Sequence, residues 1–436
     1  MTERVLVLGG GLAGVACAHK LGDEGVDVTL VDRNDYHQFQ PLLYQVASSQ
    51  LPAEDIARPH RTIFKDYPSV DVVTAHVVKA DLAERSVTLA DGRTLVGSHL
   101  VMAAGARPNF FGVPGAAEHS FPLYSVADAE RLRQHLQRLL QEAMAGDGSA
   151  ESGRLDVVVV GGGPTGVETT GALAELMHAL QSTGQIRQPG QITIVDRGQA
   201  LLAPFSTKAH EYSMRKLTDA GAVVKLETGV TAVHPDRVEF DDGSTIQAQT
   251  VVWGGGESGS AVAQTAGPKP GRGGRLDVSP NLTVDGFPGV YAIGDVANIP
   301  SGDEAAPILP QLGSVAQQSG RWAAENILRE RRGEPVQPFK YKDKGIMAMI
   351  GRNAAVAEVG KHHHQVEGPV AFAAWLGVHA MLLSGAHSKS DAFLTWAWDY
   401  FDRDHAATIE ASSVPKRIAW SEDDQDVPHI SLDRRE

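Results

Sequence analysis

Val5-Leu6-Val7-Leu8-Gly9-Gly10-Gly11-Leu12-Ala13-Gly14 is the stretch on which the fold turns. Four apolar residues in a row have the pattern of a strand buried in a parallel sheet. The six residues that follow fit G-x-G-x-x-G. Val15 to Leu21 is small and apolar enough to pack as a helix on a sheet, and a second strand, Val26 to Val31, ends in Asp32. Each glycine has its reason. Gly9 allows the tight turn, Gly11 lets the backbone approach a pyrophosphate, and Gly14 lets helix and strand pack closely. The helix start offers free N–H groups and its dipole to phosphates. Asp32 can accept hydrogen bonds from a ribose diol. A lone glycine fingerprint also fits an ordinary turn. With a strand before it, a helix after it and an acid at the expected distance, it reads as a dinucleotide cradle.

The pattern then repeats. Val157-Val158-Val159-Val160 is a strand, Gly161-Gly162-Gly163-Pro164-Thr165-Gly166 is a second fingerprint, and a helix is expected over Val167 to His178. Ile192 to Val195 is a strand ending in Asp196, with Gln181 to Gln191 as an insertion before it. Two fingerprints imply two dinucleotides. An acid at the end of this strand favours a free 2′-hydroxyl, hence NADH, although Arg197 directly after it could meet a 2′-phosphate.

Working outward, Arg33 to Arg61 is a loop with short helical pieces, amide-rich and aromatic, placed near the cofactor by its position after Asp32. Val70 to Leu100 alternates around Asp91-Gly92, a hairpin signal. Leu100 to Pro108 is a strand stopping at small residues, which leaves room for a cofactor. Ser125 opens a helix with Asp128 in a capping box and Leu132, Leu136, Leu139 and Leu140 at helical spacing, ending near Gly146. Ala145 to Gly153 has linker composition, and a domain crossing is expected there. Val223 to Phe240 and Thr250 to Trp253 close the second domain, with a turn at Asp241-Asp242-Gly243, and Gly267 to Gly274 is a loop. Gly289 to Asp295 returns to strand character, and Asp295 could reach a ribityl hydroxyl. A helix follows over Leu312 to Glu330, with Gln311, Gln317 and Gln318 near its start.

The tail is different. Val370 to Leu383 is apolar, contains Trp375 and His379, and is too short for a membrane span. Ala392 to Phe401 gathers Phe393, Leu394, Trp396, Trp398, Tyr400 and Phe401 on one broad helical face. Such a helix fits a bilayer interface, its own domain or a second subunit. Ala419 to Glu436 is charged and expected to be disordered.

The expected fold class is α/β: two Rossmann-like dinucleotide-binding domains, an FAD domain interrupted by an NAD domain, plus a C-terminal amphipathic helical region. The expected boundaries are 1–150 and 281–345 for the FAD domain, 151–280 for the NADH domain, 346–410 for the membrane-docking or dimer region, and 411–436 for the tail. A length of 436 residues carries that many units. The net charge of −14, without a basic stripe, argues against a nucleic-acid partner. No signal peptide is expected, because the first strand starts at Arg4-Val5. One cysteine, Cys17, excludes an intrachain disulfide, disulfide reduction and sulfide oxidation through a cysteine pair. No metal site is expected, and His362-His363-His364 reads as solvated. Two dinucleotides face to face give an electron path from nicotinamide through flavin to an external acceptor. A quinone, oxygen or a small redox protein fits, and a slow-turnover sensor is the reading from another class.

On these residues the chain resembles the type II NADH dehydrogenases, single-subunit NADH:quinone oxidoreductases that pump no protons. The resemblance runs from about Val5 to Asp404. It is carried by Phe39-Gln40-Pro41-Leu42-Leu43-Tyr44-Gln45-Val46-Ala47, by Ala104-Gly105 before Asn109 to Gly115, and by Gly161 to Glu168. Lys344 to Gly351 and Trp396 to Phe401 add to it. The resemblance implies FAD on Gly9, Gly10, Gly11, Leu12, Ala13, Gly14, Asp32, Arg33, Gly105 and Asp295, with Leu312 and Gly313 approaching the flavin ring. It implies NADH on Gly161, Gly163, Gly166 and Asp196. Glu168 resembles the family's acid near nicotinamide and flavin, and could alternatively be a charge favoured by the helix dipole. Lys344 resembles a lysine near the isoalloxazine, and could alternatively be a surface lysine. The quinone, menaquinone or ubiquinone, would meet Gln311, Gln317 and Gln318. Where the family often carries Ala-Gln-x-x-x-Gln, Ser314 stands at the first glutamine and Gln318 at the second. The resemblance further implies peripheral attachment to the cytoplasmic face of the cell membrane through the tail helix, with a homodimer as an open alternative.

Overall fold

The computed structural model describes residues 3–145, 155–304, 307–360 and 363–382. It contains two five-stranded parallel sheets of the same plan. In the first, Val5–Leu8 is central, between Val28–Asp32 and His99–Met102, with Val70–Thr74 and Val290–Ala292 at the edges. In the second, Val157–Val160 is central, between Ile192–Val195 and Thr250–Trp253, with Val223–Lys225 and Phe121–Pro122 at the edges. The central strands are continuous apolar runs because helices cover both faces of a parallel sheet. All four residues of each are buried. Equivalent registers repeat: Val5 pairs with Val28 and His99, and Val157 with Ile192 and Thr250.

Each parallel sheet has a three-stranded antiparallel companion: Val77–Asp81, Ser86–Leu89 and Thr94–Val96 in one case, Val230–Val233, Arg237–Phe240 and Thr245–Gln247 in the other. The expected hairpin at Asp91-Gly92 joins the last two strands of the first companion, with Gly92 at φ +86°. Val70–Thr74 does not join it. That strand pairs in parallel with Val28–Asp32, at the edge of the first parallel sheet. Val223–Lys225 is likewise a parallel edge strand rather than part of the antiparallel group.

The chain crosses between the sheets through the antiparallel pair Ala106–Pro108 and Glu257–Gly259. It has joined the second sheet by Phe121–Pro122, well before the crossing expected near 145–153. A two-residue strand carries no periodicity, so nothing in its sequence announces it. The capping box at Ser125 forms reciprocally: Ser125 N donates to Asp128 Oδ2 at 2.8 Å, and Asp128 N donates to Ser125 Oγ at 3.2 Å. Its helix runs Val126–Ala145. The second-fingerprint helix runs Pro164–Ser182, longer at both ends than expected, since proline at the first helical position is a good helix start.

A third, antiparallel sheet, Gly345–Gly351, Ala354–Val359 and His364–Glu367, packs against the helix Pro369–Leu382. Gly171 lets the Pro164–Ser182 helix lie directly on this sheet: a Cβ there would stand 1.8 Å from Ile350 O. That contact carries Glu168 to Met349. No helix among the described residues is long and apolar enough to cross a membrane. The expected tail helix at 392–401 and the charged end at 419–436 lie outside the described residues.

Candidate functional site

The two glycine turns are built alike. Gly9 has φ +107° and Gly161 φ +110°, a region L side chains rarely adopt. A Cβ on Gly14 would stand 1.8 Å from Gly9 O, and one on Gly166 1.8 Å from Gly161 O. These glycines are there for helix–strand contact. Gly11 and Gly163 differ, because a Cβ on either would meet nothing within 4 Å. Their missing side chains leave room for a ligand, not for the protein. The acids close the turns: Gly10 N donates to Asp32 Oδ2, and Gly162 N to Asp196 Oδ2 at 2.5 Å. Asp32 Oδ1 also accepts from Asn34 N at 2.7 Å, and Asp196 Oδ1 from Gly198 N at 2.5 Å. A carboxylate oxygen accepts more than one hydrogen bond, so both acids retain capacity for a ribose hydroxyl.

The first turn opens onto a cavity of about 840 Å³. At one end it is lined by Gly9, Gly10, Gly11, Leu12, Ala13, Asp32 and Arg33. Gly105, Asp295, Gln311, Leu312 and Gly313 line it further along, and Glu168 lines it beside Pro164 and Thr165 of the second fingerprint. Gly14 lies behind the turn. Gly161, Gly163, Gly166 and Asp196 form the second cradle and do not line this cavity. The shape fits FAD. Open glycine backbone and a helix N-terminus stand where a pyrophosphate needs donors, a carboxylate stands at each of two sugar positions, and the Leu12–Asp23 and Gly313–Arg331 helices both start at the cavity.

Three predicted residues are not brought to the cavity. Lys344 is exposed, just before the Gly345–Gly351 strand, and it is Met347 of that strand that lines the cavity. Gln318 spends its amide on backbone: its Nε2 donates to Lys342 O at 3.1 Å and its Oε1 accepts from Lys342 N at 3.0 Å. Gln317 is half-buried on the same helix and outside the lining. Ser314, where the resemblance expected a glutamine, pairs with Tyr341 at 2.8 Å between hydroxyls. Gln311 does line the cavity, its Nε2 donating to Asp295 O at 3.2 Å.

The cavity holds several perturbed acids. Burial pushes the Glu168 carboxyl up to about 8, against the opposing effect of hydrogen bonds from Met349 N (3.1 Å) and the Trp375 indole. It is the fifth residue of its helix, just past the first turn, where the dipole favours the charged carboxylate and so does not account for the rise. Burial also raises Asp295 to about 6, opposed by Arg275, and Glu257 to about 7, with Asp295 adding to the rise. The Glu257 side chain is exposed within the open cavity.

Sequence reading did not assign Tyr124, Glu257 or His379 to this site. Tyr124 OH accepts from Ala106 N at 2.9 Å beside Gly105. His379 stacks on Trp375 with ring centroids 3.9 Å apart, and its Nδ1 donates to Trp375 O at 2.8 Å. Burial holds this imidazole down at about 4. The four-residue spacing of Trp375 and His379 was a usable signal, since it puts them on one helix face. Glu257 and Tyr124 had none. Among the described residues no group of three or more His, Cys, Asp or Glu is placed to hold a metal ion. His363 lies 3.6 Å from both Asp343 Oδ2 and Glu358 Oε2.

Comparison with known proteins adds to this geometry. The family model "Pyridine nucleotide-disulphide oxidoreductase" matches residues 3–320. The type II NADH:quinone oxidoreductase Ndh of Mycobacterium tuberculosis is 32% identical over 414 residues, covering 90% of this chain and 87% of that protein. The type II NADH:quinone oxidoreductase of Staphylococcus aureus is 30% identical over 366 residues, covering 82% and 90%. Among solved structures, NDH2 of Plasmodium falciparum in complex with NADH superposes with a TM-score of 0.81 at 18% identity, covering 91% of this chain and 98% of that one.

Proposed function

The chain belongs to the type II NADH:quinone oxidoreductases within the pyridine nucleotide-disulphide oxidoreductase family, and from that premise we infer that it is an FAD-dependent enzyme that oxidises NADH and passes two electrons to a quinone without pumping protons. The observation that carries this reading is that residues of both fingerprints, Gly9 to Ala13 and Pro164 to Thr165, line one cavity. When bound, FAD supplies acceptance of hydride from NADH and two-electron delivery to quinone. The protein's own part is binding, orientation, exclusion of water and proton supply.

In this reading the first cradle holds the FAD pyrophosphate and Asp32 its adenosine ribose, while Asp295 and the Gly313 helix start lie toward the flavin end. The second cradle holds NADH with its nicotinamide toward Pro164 and Thr165. Asp196 selects NADH, because its charge opposes a 2′-phosphate and its oxygens suit a diol. Glu168 is neutral at pH 7 and so keeps negative charge away from the reacting groups while holding a proton for a quinone oxygen. Trp375 lies close to Glu168, and His379 lines that side of the cavity. Lys344 has no part in this assignment. Attachment to a membrane surface is supported by the helix Pro369–Leu382, whose outward residues Val370, Ala373, Ala374, Gly377 and Val378 are exposed and apolar.

The test is steady-state turnover of the purified protein. NADH oxidation is expected to rise strongly with a short-chain quinone, NADPH to react with lower kcat/KM, and Asp196→Ala to bring the two nucleotides closer by about tenfold, the size of one lost charged contact. Stimulation by a redox protein but not by quinone would favour the other acceptor class.

A further inference from the structure

Two imidazoles converge on one backbone carbonyl behind the first cradle. His37 Nδ1 lies 2.9 Å and His60 Nε2 3.1 Å from Gly10 O. A carbonyl oxygen has lone pairs and no proton, so each ring must donate, His37 from Nδ1 and His60 from Nε2. Both rings are buried, 3% and 0% exposed. The His60 ring also fills the space a Gly10 side chain would need, with Nε2 2.3 Å from the Cβ position. At its other end, Gly10 N donates to Asp32. Gly10 is therefore held by three side chains.

The consequence falls on Gly11. In a trans peptide the N–H points opposite to the C=O across the same bond, and no cis peptide is present among the described residues. With Gly10 C=O turned inward onto two histidines, Gly11 N–H is turned outward, toward the cavity that Gly11 lines. Donation to the carbonyl also polarises the peptide and makes its N–H a stronger donor.

The second cradle supplies an internal comparison. Gly162 N donates to Asp196, as Gly10 N does to Asp32. Gly162 O is also capped, but by the backbone: Leu202 N donates to it at 2.7 Å. Leu201 Cδ2 stands 3.1 Å from the Gly162 Cβ position, where the first cradle has His60. The same peptide is clamped in both turns, by main chain in one and by two imidazoles in the other.

We propose that His37 and His60 are positioning residues for the cofactor, holding the Gly10–Gly11 peptide so that Gly11 N–H is aimed at a pyrophosphate oxygen. This rests on the first cradle being the FAD site. Among the described residues His60 Nδ1 has no partner, so leucine at this position removes an unsatisfied buried atom along with the donor. The probe is FAD release: holoenzymes are diluted and the appearance of free-flavin fluorescence is followed. His60→Leu is expected to release FAD about ten times faster than wild type, equivalent to about 1.4 kcal/mol. His60→Gln, which keeps an amide N–H within reach, is expected to stay within about threefold of wild type. NADH KM at saturating FAD is expected to be unchanged in both. His60→Phe, a ring without donors, repeats the first arm if the leucine variant does not fold, and the same acceleration is expected. Release from His60→Leu within about twofold of wild type, or release from His60→Gln as fast as from His60→Leu, overturns the clamp. Wild-type protein that carries no flavin overturns it together with the reading beneath it.

Discussion

Gly11→Val is expected to yield a folded protein that has lost its FAD. Gly11 sits at φ −75°, ψ −166°, an extended conformation outside the left-handed region, and a Cβ there meets no protein atom within 4 Å. Within the fold the substitution costs about 1 kcal/mol, because valine is a poor residue at the start of the Leu12–Asp23 helix. The space it fills is the approach to the helix N-terminus, where the backbone must come within hydrogen-bond distance of phosphate. Losing two such charge-assisted bonds costs about 3–6 kcal/mol, enough to weaken binding by more than about 100-fold. The measurement is the flavin-to-protein absorbance ratio after gel filtration, with circular dichroism to establish folding. Gly14→Ala is the opposite control. Its Cβ would stand 1.8 Å from Gly9 O, so it is expected to fail at folding. A Gly11→Val protein that keeps stoichiometric FAD would contradict the site assignment.

Glu168→Gln is expected to lower quinone-dependent turnover by about 100-fold, the low end of what a positioned proton donor contributes. The residue is held by Met349 N, which ties the second-fingerprint helix to the third sheet. Burial raises its carboxyl to about 8, so the wild-type acid is protonated at neutral pH. As pH rises through about 8 the proton is lost, and with it the donor, so kcat with quinone should fall on the alkaline side. The glutamine variant is neutral at every pH and should lose that limb. FAD content and the NADH half-reaction, which need no proton from this group, are expected to change by less than about threefold. Full quinone turnover in Glu168→Gln, or an alkaline limb that survives in it, removes Glu168 from the proton path and leaves it a buried structural acid.

Both cradles were legible because their signals are local. A run of apolar residues, three glycines at fixed offsets and an acid at the next strand end specify the turn, and the structure builds it twice with φ angles within a few degrees. The capping box at Ser125 and the turn at Asp91-Gly92 were legible for the same reason. What escaped depends on distant pairings. Phe121–Pro122 is too short to show a period, and Val70–Thr74 takes its place from Val28–Asp32 rather than from its own sequence. Lys344 and Gln318 were placed at the site by resemblance. Yet Met347, three residues on in the strand, is the residue that lines the cavity, and the backbone of Lys342 uses both ends of the Gln318 amide. His60 lies 50 residues from Gly10, and no spacing rule connects them.

The central claim is that NADH and a quinone meet one flavin held by these two cradles. Its most direct test is an anaerobic absorbance titration of the purified protein, first with NADH and then with a short-chain quinone. The expected result is bleaching of the flavin band at one equivalent of NADH and its full return at one equivalent of quinone. A band that NADH does not bleach, or that quinone does not restore, would contradict the account.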